Sequence, residues 1–159
     1  MRWIFSSELR PIALALGLFG VLLSGAARAA SGNLEPSKGS ISTSDRAAIR
    51  TVIEQQLDAF QRDDAKAAFA LAAPGIHYTF RTPERFMIVV KRGYKPVYRP
   101  RVVEFRDIQE VDGIGPVQSV YFEGMDGDSV IALYPMQRQP DGSWRINGAH
   151  LVRSDERPI

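Results

Sequence analysis

From Thr43 onward the spacing of apolar positions changes character twice. In "TSDRAAIRTVIEQQLDAFQRDD" the residues Ile49, Val52, Ile53, Leu57 and Phe60 recur at helical spacing. Ser44 offers an N-cap there and Asp45 suits the positive helix end, so the segment predicts an amphipathic helix. A second, shorter helix starts at Asp63 or Asp64 and runs through "AKAAFALAA" until Pro74-Gly75 stops it. Thr82-Pro83-Glu84 supplies cap, first-turn proline and first-turn acid for a third helix. That helix ends with Lys91 and Arg92, cations that complement its dipole, before Gly93, which can take the left-handed cap conformation.

Beyond Pro100 the pattern becomes that of strands. Segments around 101–111, 117–124, 129–138 and 143–152 are rich in Val, Ile, Tyr, Phe and Trp, and Asp112-Gly113, Asp126-Gly127 and Asp141-Gly142 stand between them. Asp-Gly tolerates the positive φ of tight hairpins, so the segments predict a four-stranded antiparallel meander. In the third strand Val130, Ala132, Tyr134 and Met136 alternate with Ile131, Leu133 and Pro135. Both rows are apolar, and alternation alone does not say which faces the helices. In the last strand Trp144, Ile146 and Gly148 share a face, with Trp144 expected to close the sheet against the helices near Phe60 or Phe69. Helices followed by a run of strands give an α+β fold, N-terminal helices packed in a curled four-stranded antiparallel sheet.

The opening 32 residues, "MRWIFSSELRPIALALGLFGVLLSGAARAASG", have the order of a secretory signal: Arg2 and Arg10, an apolar run from Ile12 to Leu23, then Ala27-Arg28-Ala29. The run is shorter than the roughly 20 residues of a membrane-spanning helix. Cleavage is expected after Ala29, which makes residues 1–29 a signal peptide and the product a periplasmic or secreted bacterial protein with no stable membrane anchor. Residues 30–42, rich in Ser and Gly, read as a flexible lead-in. Residues 43–153 form one domain and 154–159 a tail.

Losing the leader changes the charge. The full chain has 20 Lys and Arg against 18 Asp and Glu, and residues 1–29 hold Arg2, Arg10, Arg28 and Glu8, so 17 of each remain. The mature chain is formally neutral. It has no cysteine, so in an oxidising compartment the fold stands on packing alone. What persists is local: residues 81–106 carry eight Lys and Arg against Glu84 and Glu104. The core of this region, "VKRGYKPVYRPR", joins cations to tyrosines as single-stranded nucleic-acid binders do. Export, a neutral mature chain and the lack of a basic motif elsewhere argue against nucleic acid. Two of its cations already have a helix end to complement, and Pro96 and Pro100 read as stiffening an extended passage to the first strand.

The order of three helices and a curled sheet is similar to the cone of the nuclear transport factor 2-like, or ketosteroid isomerase-like, superfamily. More specifically, "IEQQLDAFQRDDAKAAFALAAPGIHYTF", "RGYKPV" and "DGSWRINGAHL" resemble a bacterial family catalogued as domain of unknown function 4864 over about residues 45–152. Asp63, Phe69, Pro74, Phe80, Tyr94, Pro96, Gly142 and Trp144 fit that family, which brings no established reaction. The superfamily implies a test for catalysis, because its isomerases hold an acidic base and acid or tyrosine donors inside the cone. Here Asp58 and Asp63 are the nearest carboxylates, and both sit where a helix margin or cap explains them. His77 and His150 have no zinc spacing, Asp126 and Asp128 read as turn chemistry rather than a calcium loop, and Ser119 and Ser129 have no base motif near them. No cofactor and no metal are expected.

The remaining candidate is a ligand pocket at the mouth of the cone, lined by Tyr94, Tyr98 and Arg99 with polar contacts from Asn147 and His150. Against it stands plain packing, with both tyrosine hydroxyls satisfied at the edge. The sequence thus points to an exported, non-catalytic module that binds a small apolar ligand, a protein partner or a second copy of itself. A small isomerase- or hydrolase-type enzyme using the same cavity is the alternative.

Overall fold

The computed structural model describes residues 41–153. The expected leader, the lead-in as far as residue 40, and the tail lie outside the described residues. Among the described residues five helices precede five strands: α1 Thr43–Gln61, α2 Ala65–Ala70, α3 Pro74–Phe80, α4 Pro83–Gly93, α5 Lys95–Tyr98, β1 Pro100–Val111, β2 Gly115–Gly124, β3 Ser129–Arg138, β4 Trp144–Ile146 and β5 His150–Arg153. All strand pairings are antiparallel in the order β1-β2-β3-β4, with β5 also on β3. The α+β architecture follows from the sequence pattern.

Each helix start has a local cause. Ser42, rather than Ser44, caps α1: its hydroxyl accepts from the Asp45 N–H at 3.0 Å and donates to Asp45 Oδ2 at 2.7 Å. Such reciprocal bonding satisfies an otherwise orphaned donor. Asp64 caps α2 through Ala67 N–H at 2.9 Å, and Thr82 caps α4 through Arg85 N–H at 3.3 Å. Pro74 does not end a helix as expected but begins α3, because the first helical position needs no N–H donor. For the same reason the passage around Pro96 is not extended but makes the single turn α5. Gly93 stays helical as the last residue of α4, and Tyr94 caps it.

The hairpins bend where expected, with Gly113, Gly127 and Gly142 at φ of 74°, 83° and 84°. The fourth strand is interrupted. Met136 pairs with Ile146 but Leu133 with His150, so one extra residue enters between β4 and β5, and Gly148 takes φ 133° there. This bulge falls opposite Pro135, which has no N–H to give the ladder but accepts from Asn147 N–H at 2.8 Å.

The pairing register separates the two faces of the sheet. Val120, Phe122, Ala132, Tyr134, Met136, Trp144 and Ile146 are buried on the inner face, against Ile49, Ile53, Leu57 and Phe60 of α1, Phe69 of α2, and Phe86, Met87 and Val90 of α4. Trp144 does close the sheet on a helix, but at the first turn of α1, where its indole donates to Asp45 Oδ1 at 3.0 Å, far from Phe60 at the other end. Two buried amides are satisfied: Gln56 bonds to Ala68 O at 3.2 Å, and Gln118 to Arg106 O at 2.7 Å. Gln118 thereby ties down an irregularity in β1 between Phe105 and Ile108.

Candidate functional site

The basic stretch converges on one carboxylate. Asp63, held at φ 58°, sits between α1 and α2, and its Oδ1 takes the Lys91 ammonium at 2.7 Å while its Oδ2 takes the Arg99 guanidinium at 2.8 Å. The Tyr98 hydroxyl donates to Oδ1 as well. Lys91 and Tyr98 hold the Asp63 carboxyl down to about 2, with Arg99 adding to the effect. All four groups are partly exposed, so this is a surface clasp that pins α4 and α5 to the α1–α2 corner. A carboxylate neutralised by two cations is a poor base at neutral pH.

The five residues expected at a cone mouth are dispersed. Tyr94 is half-buried and donates its hydroxyl to Ala149 O at 3.1 Å, within the bulge between β4 and β5. This brings it beside the backbone of Asn147 and His150. Tyr98 and Arg99 turn instead to Asp63, and Arg99 lies 5.2 Å from the Tyr98 ring centre. Asn147 and His150 are exposed, and His150, paired with Leu133, is on the outer face of the sheet. The other histidine, His77, is bonded to Phe69 O at 2.6 Å in α3. Asp58 pairs with Arg62 at 3.0 Å on the exposed side of α1. Within the core the Tyr134 hydroxyl has no hydrogen-bond partner among the described residues, and burial raises its pKa, so it stays a neutral phenol.

A concavity does exist on the outer face. A groove of about 350 Å³, open to solvent, is lined by Arg106, Asp107, Gln109, Ser119, Ile131, Leu133 and Val152. The irregularity in β1 that Gln118 ties down carries Arg106 and Asp107 to its rim, and β3 and β5 supply its apolar floor. Arg106 also lies 5.1 Å from the ring centre of Tyr121, the outer-face partner of Ile131. Ser119 faces Leu133, which faces His150, so serine and histidine stand two strands and roughly 10 Å apart. That separation prevents the direct hydrogen bond a serine–histidine pair needs.

Sequence reasoning singled out Ser119 and His150 in this region but not the groove. Its signal was present in β3, where Ile131, Leu133 and Pro135 make the outward row as apolar as the inward one.

Residues 42–159 match the family described as Domain of unknown function (DUF4864). The chain belongs to this family. No curated protein and no solved structure matches the chain. The family description carries no activity.

Proposed function

We propose that this member of the family is a non-catalytic binding module that engages a protein partner through the outer face of its sheet. One observation carries the reading: the helix-facing side of the sheet is occupied by core side chains, while an apolar-floored groove with a charged rim opens on the opposite face. A drug-sized ligand is held by burying most of its surface in a cleft. A groove open to solvent suits instead one or two anchoring side chains of a larger partner, with Arg106, Asp107 and Gln109 at the rim for orientation.

Export is supported by the charged start, short apolar run and Ala27-Arg28-Ala29. Kinship with the nuclear transport factor 2-like superfamily is supported by helices packed in an antiparallel meander. The alternative of isomerase-type chemistry in the cone has one group in its favour, the buried Tyr134 hydroxyl. A neutral phenol is a donor without a base, and the charged groups Asp58 and Asp63 are both outside the core.

A photo-reactive side chain placed at Ile131 or Val152, in the organism that makes the protein, tests the reading. Discrete protein adducts are expected at both positions, absent from Arg50 on the exposed side of α1 and abolished by Leu133→Arg. Adducts that form equally at Arg50, or that survive Leu133→Arg, count against the groove.

A further inference from the structure

The eight cations of residues 81–106 are not equivalent once folded. Lys91 and Arg99 are bound to Asp63, Arg101 is paired with Glu123, and Arg106 lies on the outer sheet face against Tyr121. Arg81, Arg85, Arg92 and Lys95 remain, all exposed and without an ion pair among the described residues. They cluster on and around α4.

That helix is apolar on two sides. Phe86, Met87 and Val90 enter the core. At about 100° per residue, Arg85, Ile88, Val89 and Arg92 fall within about 100° of arc on the opposite side. Ile88 is 49% exposed and Val89 42%. Tyr78 of α3 is 74% exposed and lies beneath the Arg81 guanidinium, 4.9 Å from its ring centre. One acid, Glu84, stands at the margin of the stripe, exposed.

We propose that this face of α4 docks on an anionic lipid surface. An aliphatic pair with an arginine one turn to either side offers a bilayer interface a small apolar contact and two guanidinium groups that can reach its phosphates. The aliphatic groups enter the headgroup boundary while the arginines reach the phosphates. Single-stranded nucleic acid fits less well, because bases need aromatic platforms and the centre of this stripe is aliphatic. The face is distinct from the sheet groove, so a protein partner and a bilayer can be held together. No described helix is long and apolar enough to cross a membrane, and the contact is peripheral.

The test is flotation of the full chain with phosphatidylcholine vesicles, with and without about one-third phosphatidylglycerol, at low and physiological salt. Because the expected leader carries an apolar run and arginines of its own, the readout is the difference between parent and variants of the same chain. Arg85→Glu with Arg92→Glu is expected to lower partitioning to the anionic vesicles by at least tenfold, on the scale of charge contributions at such surfaces. Ile88→Ser with Val89→Ser is expected to lower it at both salts, and Arg85→Lys with Arg92→Lys to retain it. Circular dichroism checks that these surface variants stay folded. Partitioning of either of the first two double variants equal to the parent's, or an arginine-pair difference that is as large on vesicles without phosphatidylglycerol, overturns the proposal. So does binding of an acidic polypeptide to this face in the absence of vesicle binding, which assigns the face to a protein.

Discussion

Trp144 offers the sharpest test of how the sheet is fastened to the helices. It is 7% exposed, it starts β4, and its indole bonds to Asp45 in the first turn of α1. Trp144→Ala deletes a large buried aromatic, a change worth about 3–5 kcal/mol. Trp144→Phe keeps most of the apolar body and removes the N–H. A hydrogen bond to a charged group is worth about 1.5–3 kcal/mol, so the phenylalanine variant should fall near the lower end, since Asp45 keeps its bond to Ser42. The carboxyl adds a signature that packing alone does not. Ser42 first and Trp144 second hold the Asp45 pKa below its ordinary value. A group depressed in the folded state stabilises above its unfolded pKa and loses that contribution as the pH falls. The gap between parent and Trp144→Phe should therefore narrow below about pH 4. Urea unfolding followed by far-ultraviolet circular dichroism at pH 7 and pH 3 measures both effects. If Trp144→Ala unfolds within about 1 kcal/mol of the parent, far short of the usual cost of such a deletion, the indole is not the fastener described.

The Asp63 clasp has its own pH dependence. Its carboxyl, held at about 2 by Lys91 and Tyr98, should contribute fully above the ordinary carboxylate range and be lost as the pH falls toward 2. Asp63→Asn tolerates the positive φ but carries no charge, so thermal melts of this variant should lie below the parent at pH 6, with most of the gap closed by pH 2; parallel curves would contradict the clasp. Tyr94→Phe leaves Ala149 O without its donor in the β4–β5 bulge and should cost about 1 kcal/mol by urea titration. Gln118→Leu strips the partner from Arg106 O and should cost about 1–3 kcal/mol while speeding amide exchange around Arg106 and Asp107. Unchanged exchange there would separate Gln118 from the shape of the groove rim.

Much of the fold was legible because its signals are local. Thr82-Pro83-Glu84 announces a helix start from three adjacent residues, and each Asp-Gly pair announces its own turn. Proline was the ambiguous sign. Pro74 and Pro96 open helical turns where the chain pattern read them as a stop and a stiffener, since the same missing N–H suits both a helix start and an interruption. The clasp was hidden for a different reason: Tyr98 and Arg99 meet Asp63 across 35 and 36 residues, a closure no local spacing encodes. The groove lay between these cases. Two apolar rows on one strand were visible in β3, but only the register with β2 and β5 shows which row faces outward.

The binding surface we propose is the outer face of the sheet rather than its helix-covered inner face. Amide chemical-shift mapping during titration with isopropanol, a small amphiphilic probe that collects in binding grooves, addresses it while the partner is still unidentified. Saturable shifts centred on Ser119, Ile131, Leu133 and Val152, diminished by Leu133→Arg, are the predicted result. Shifts centred on Phe86, Phe122 and Tyr134, with the outer face silent, would contradict it.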